Sequence, residues 1–195
     1  MEVGPQFPVK TVPEFIAYAK ANPGKINFGS PGIGTSIHIS GELFKMLTGI
    51  NMVHVPYRAT QTALTDLMSG QIQVMFDNMP TSIGYIRDGN LRALAVTSAT
   101  RWEGLPDVPT VGDFVPGFEA SAMFGLGAPR ATPLEIVERL NSEINAGLAD
   151  PKIKARLAEL AGVVLAGSPA DFGKLIAAET EKWGKVVKFS GAKPD

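Results

Sequence analysis

Lys25 to Ser36 reads KINFGSPGIGTS, and its reading decides the fold. Lys25 to Gly29 predicts a short strand, and Ser30 to Gly34 a Gly/Pro loop. Thr35 or Ser36 then caps a helix whose apolar positions Ile37, Leu43, Phe44 and Leu47 recur at near-helical spacing and which ends before Gly49. The alternation extends both ways. Upstream, Thr11-Val12-Pro13-Glu14 combines a Thr cap, an early Pro and a Glu three residues after the cap, so a helix is expected from there to Asn22-Pro23-Gly24. Downstream, Met52–Val55 reads as a strand, and Thr60 caps a helix through Leu64 and Leu67 to Gly70. Ile72–Phe76 is a strand, Thr81–Arg87 a helix and Leu91–Thr97 a strand. Strands alternating with helices argue for an α/β unit with a largely parallel sheet and right-handed crossovers.

Residues 104–119 break this pattern with repeated Pro and Gly and read as a connector. Residues 120–128 read as an extended crossing segment. Helices are then expected at about 133–148, 151–161 and 169–189, the last capped by Ser168-Pro169-Ala170-Asp171. Trp183 on that helix is expected to be buried against a partner surface. No internal repeat or low-complexity segment is visible.

The chain has 195 residues, 45% of them apolar and 19% charged, enough for a sizeable core. Lys plus Arg number 18 against 19 Asp plus Glu, so the basic excess that nucleic-acid binding needs is missing. Cysteine is absent, which excludes disulfides and thiolate catalysis. With two histidines, His38 and His54, a His-rich metal site is excluded. No apolar run approaches the ~20 residues of a membrane-spanning helix. The first residues lack the basic and apolar regions of a secretory signal, so the signal of an exported protein would lie outside this chain.

Between strand and helix, Gly29–Ser36 exposes backbone N–H groups where the helix adds partial positive charge, with Ser30, Thr35 and Ser36 as hydroxyl donors. It suits a small carboxylate; an ordinary capped turn is the alternative. Thr35 stands where a phosphate loop needs Lys, and Ile37 where a dinucleotide fingerprint needs its third Gly. Val55–Thr62 lies at another strand's carboxyl end and either shares a cleft with the first loop or is a plain βα turn. Asp77, after a third strand, either accepts a ligand hydrogen bond or caps. His38 and Glu42 are one helical turn apart without a zinc motif, and His54 reads as a structural histidine. A hydrolase using Ser30 or Ser36 with His38 lacks a nucleophile elbow.

FGSPGIGTSIHISGELFK at 28–45, VPYRATQTALTDLMSGQIQVMFDN at 55–78, GNLRALAVTSATRWEGLPDVPTV at 89–111, GLGAPRATPLEIVERLNSEINAGLADPKIKARL at 125–157 and FGKLIAAETEKWGKVVKFSGAKPD at 172–195 occur in an order that resembles the solute-binding proteins of tripartite tricarboxylate transporters, the Bug family. The resemblance spans nearly the whole chain. It implies a periplasmic-binding-protein-like fold of type II: one complete α/β lobe with a mostly parallel sheet at 8–122, the family's second domain, and at 123–195 a crossover segment and the C-terminal helices of an incomplete first domain. It implies a periplasmic, non-enzymatic protein that needs no metal or cofactor. Such a protein binds a small carboxylate and hands it to the membrane components of the transporter. Carried over residue by residue, the ligand loop is Ser30, Gly32, Gly34, Thr35 and Ser36, followed by His38, with Tyr57, Ala59 and Asp77 also lining the cleft.

Three departures stand out. Ala59 replaces a common Gly, which is expected to alter its loop. Met123 replaces a frequent Trp. The first domain's initial strands and ligand loops should precede Met1 and are not in this sequence. The C-terminal helices are therefore expected to present apolar faces made to cover a sheet, with association of copies of the chain through them as one outcome. A truncated, non-transporting paralogue that binds protein instead is the alternative reading.

Overall fold

Capping residues set most helix ends in the computed structural model, which describes residues 1–193. Thr11 accepts the Glu14 N–H at 3.3 Å and opens α1 (Val12–Ala21). Thr35 does the same for α2 (Ser36–Thr48), which Gly49 closes in the left-handed conformation, as Gly70 closes α3 (Thr60–Ser69). Ala59, not Thr60, is the N-cap of α3. Its φ of −151° is extended backbone open to any residue, so the Gly-to-Ala departure brings no strain. The fourth helix, α4 (Met79–Arg87), starts two residues earlier than its apolar spacing suggests.

The sheet holds β1 (Glu2–Val3), β2 (Ile26–Ser30), β3 (Met52–Pro56), β4 (Val74–Met75) and β5 (Arg92–Ala93) in the order β3-β2-β4-β1-β5. The pairs β2–β3 and β2–β4 are parallel, and β1 is antiparallel to both β4 and β5. Four strands thus share one direction. The inserted β1 opposes them and makes the sheet mixed. Because β1 spans two residues, it pairs only two residues of β5. The apolar runs Ile72–Phe76 and Leu91–Thr97 extend beyond their ladders, although Val96 makes a parallel bridge to Thr110.

Alternation along β2 sends Phe28 to one face and Gly29 to the other. A Cβ on Gly41 of α2 would lie 2.5 Å from the Phe28 ring, while one on Gly29 would strike Ile72 and press on Ala63 of α3. Helices therefore cover both faces at close range. On the Phe28 side, Phe15, Phe44, Phe76 and Phe118 form a chain of ring contacts 5.3–6.3 Å apart. On the other, Ala63, Leu64, Leu67, Ile72 and Met75 are fully buried. Arg92 fixes the first loop by donating to the carbonyls of Pro5, Phe7 and Val9 at 2.9–3.0 Å.

Two compact units are present: residues 1–122 with the stretch from Lys185, and residues 123–184. The second holds α5 (Leu134–Ala149), α6 (Pro151–Glu159) and most of α7 (Pro169–Ser190). Asp150 caps α6 through the Lys152 and Ile153 N–H groups, and Asn141 and Asn145 both donate to the Gly167 carbonyl at 2.9 Å. Apolar side chains of this unit stay exposed, Phe124 at 91%, Val163 at 83% and Leu126 at 74%. Trp183 is half-buried, and its indole N–H donates to Glu179 Oε2 at 2.6 Å.

Candidate functional site

The four co-directional strands place their carboxyl ends along one sheet edge, where open α/β sheets bind ligands. The loops after β2, β3 and β4 meet there. The Tyr57 N–H donates to the Ser30 carbonyl at 2.8 Å and fastens the second loop to the first.

Residues 30–38 form one bonded cluster. Ser30 is fully buried. Its Oγ lies 2.7 Å from His54 Nε2, 3.0 Å from the Gly32 carbonyl and 3.2 Å from the Gly32 N–H, which it accepts. Thr35 Oγ1 donates to the Gly32 carbonyl at 2.8 Å and caps the His38 N–H. Both hydroxyls are therefore engaged inside the loop. Gly32 and Gly34 have φ values of +142° and +79°, which a side chain would oppose. The turn leaves the half-buried Ser36 hydroxyl and the N–H groups of Ile33, Ser36 and Ile37 without a hydrogen bond to another described residue. Three amides beside the α2 N-terminus can receive a carboxylate.

Behind the loop sit two imidazoles, with ring centroids 4.1 Å apart. His38 Nδ1 accepts the Gly34 N–H at 3.1 Å, which requires its proton on Nε2; that atom faces Glu42 Oε1 at 3.9 Å. Glu42 is buried and paired with Lys45 at 2.8 Å. Phe28 lies parallel to the His38 ring and tilted against that of His54. Burial lowers the His38 pKa, with Glu42 opposing and Lys45 assisting. Burial, then His38 and Lys45, lower that of His54 to about 4. Sequence reasoning left His54 outside the site. The available signal was the strand register, which pairs His54 with Phe28 two residues before Ser30.

The remaining positions bond elsewhere. Tyr57 donates its hydroxyl to Asp66 Oδ2 at 2.8 Å, and burial followed by that bond pushes its pKa up to about 12. Ala59 is exposed and offers only backbone. Asp77 Oδ2 accepts from Thr81 Oγ1 at 2.5 Å and lies 2.7 Å from Ser82 Oγ, while its Oδ1 is buried without a partner among the described residues. Ser82 Oγ also lies 2.7 Å from Oε1 of the buried Glu2. One hydroxyl has one proton, so two such short contacts to carboxylates require a second proton, carried by Glu2. Burial raises the Glu2 pKa to about 7, consistent with that assignment. Asp77 thus shares the sheet edge but belongs to a separate polar group. Among the described residues no cluster of His, Asp and Glu could hold a metal.

Solved structures with this architecture are periplasmic binding proteins. An R. palustris protein solved with adipate is 37% identical, with a TM-score of 0.90, and the match covers 100% of this chain and 65% of that one. MatC from Rhodopseudomonas palustris, solved with bound malate, is 30% identical with a TM-score of 0.81 over 95% of this chain and 65% of its own. The class is therefore that of solute-binding receptors, and this chain matches about two thirds of such a structure. The model of the tripartite tricarboxylate transporter family receptor, TctC, matches residues 1–191, and the chain belongs to that family. BugT of Bordetella pertussis is 34% identical over 190 residues, 97% of this chain and 58% of BugT. The chain spans a little over half the length of the curated relatives it matches.

Proposed function

We propose that this chain captures a small carboxylate outside the cytoplasm, in the periplasm, for delivery to the membrane components of a tripartite tricarboxylate transporter. The observation that carries the reading is the Gly29–Ser36 loop. Its inward hydroxyls and glycine geometry leave the Ile33, Ser36 and Ile37 amides outward, in a chain whose relatives were solved with adipate and malate. In this reading residues 8–122 form the solute-binding lobe, and 123–195 the crossover and helices of its companion domain. Gly32, Gly34, Thr35 and Ser36 shape the carboxylate cradle and Ser30 and His38 back it. Tyr57, Ala59 and Asp77 border the cleft. Binding proceeds without chemistry, since the one buried serine–imidazole contact, Ser30–His54, is closed to a substrate.

The test is a thermal melt with mono-, di- and tricarboxylates at millimolar concentration. A native-state ligand at a hundred times its Kd adds about 2.7 kcal/mol. An upward shift with one carboxylate class supports the reading, and none with any carboxylate refutes it. A second reading, an interaction module that holds another polypeptide or a second copy of the chain, is favoured by exposed Phe124, Leu126, Leu134 and Val163. Light scattering on the eluting chain tests the second-copy form of that reading, which requires a mass above the monomer's.

A further inference from the structure

The buried His38 and the half-buried His54 are groups that a carboxylate site does not by itself need. We propose that His38 and His54 are positioning residues, a pair of neighbouring rings that holds Gly34 and Gly32 in their binding conformation, and that His38 must be neutral to do so, so that acidification releases the solute. This inference rests on the carboxylate reading above.

The bonds make the case. Gly34 is anchored through its N–H to the Nδ1 lone pair of His38. Protonation puts a hydrogen on Nδ1, two donors then face each other, and the Gly34 amide must turn away. Gly32 is anchored at one remove: its N–H donates to Ser30 Oγ, and Ser30 Oγ is held by His54 Nε2. With centroids 4.1 Å apart, the rings cannot both be charged without strong repulsion. The charged groups facing the pair are Glu42 and Lys45, both on α2; β2 contributes Phe28 and Ser30, which carry no charge. Glu42 is already paired with Lys45, so a proton arriving at either ring meets little uncompensated negative charge. Ring and loop are directly bonded, and protonating the first deforms the second.

The experiment titrates adipate into the full chain by calorimetry from about pH 7.5 to about pH 4, alongside His38→Asn and His38→Leu. Asn places an oxygen acceptor near the Nδ1 position and does not titrate; Leu removes the acceptor. Protonation of adipate itself and of His54 is common to all three, so affinity ratios isolate the His38 imidazole. Wild-type affinity is expected to fall about tenfold or more relative to His38→Asn across this range, as for a group whose two protonation states bind unequally. At about pH 7.5, His38→Asn should bind about tenfold more tightly than His38→Leu, whose Gly34 amide is unpaired. In parallel, the Gly32 and Gly34 amide resonances of the solute-free chain should move with the histidine titration. Equal pH profiles for wild type and His38→Asn, or glycine amides indifferent to the titration, overturn the proposal. Glycine amides that move while no mono-, di- or tricarboxylate binds at any pH overturn the carboxylate reading, and solute release with it.

Discussion

Replacing Glu2 by Gln should abolish a defined part of the pH dependence of stability. Glu2 is 3% exposed, and its pKa is raised by burial from 4.5 to about 7, with the N-terminal ammonium and Ser82 opposing. The folded chain therefore binds a proton that the unfolded chain has released between pH 4.5 and about 7. A raised carboxyl pKa contributes stability that is complete below 4.5, declines through this window and is lost above about 7. At about 1.36 kcal/mol per tenfold change in proton affinity, the contribution amounts to roughly 3 kcal/mol. Gln keeps the shape and offers an N–H to Ser82 Oγ, which then donates to Asp77. Urea unfolding of both proteins at about pH 4.5 and about pH 8 should give similar stabilities at the lower pH and a variant more stable by about 3 kcal/mol at the higher. Parallel profiles for variant and wild type would falsify the argument, because every other titrating group is common to both.

Gly41→Ala should lower stability by about 1–3 kcal/mol in the same assay, since its Cβ would meet the Phe28 ring at 2.5 Å; an unchanged midpoint would mean that the ring has room to withdraw. Gly34→Ala meets no neighbouring atom within 4 Å but keeps a φ of +79°, so it should cost about 1–2 kcal/mol from backbone strain, with Asn in its place recovering part. Tyr57→Phe should cost about 1 kcal/mol by loss of the bond to Asp66, read as a fall in melting temperature with an unaltered circular dichroism spectrum.

The helices were legible because their ends carry local chemistry. Thr11, Thr35 and Ser168 bond back to the chain within four residues, and Gly49 and Gly70 supply the left-handed closures. Such signals are complete within a short window. Glu2–Val3 offers no comparable signal: a two-residue strand has no periodicity, and its partners lie in β4 and β5. The short ladder of β5 escaped for the same reason, since its length is set by β1 and not by its own apolar run, while β4 is delimited by its two-residue pairing with β2. At the candidate site the glycine loop was visible, but the direction of its hydroxyls was not. Ser30 and Thr35 read as outward donors and point inward, because burial of the turn demands partners for the Gly32 amide and carbonyl. His54 reads as structural from its place in a strand, and only the pairing of β3 with β2 brings it to Ser30.

The insertion of β1 between β4 and β5 bears on how the chain is made. Its first strand is the wedge that joins the two flanks of the sheet, yet its partners Met75 and Ala93 are far downstream. During synthesis residues 1–3 wait for this pairing, apolar Val3 included, until β5 has been made. The β2–α2–β3–α3 portion can form from nearby contacts in the meantime. Closing so distant a pairing is slow compared with local structure. While residues 1–3 stand unpaired, the facing flank of β4 is an open sheet edge, the kind of surface through which separate chains pair.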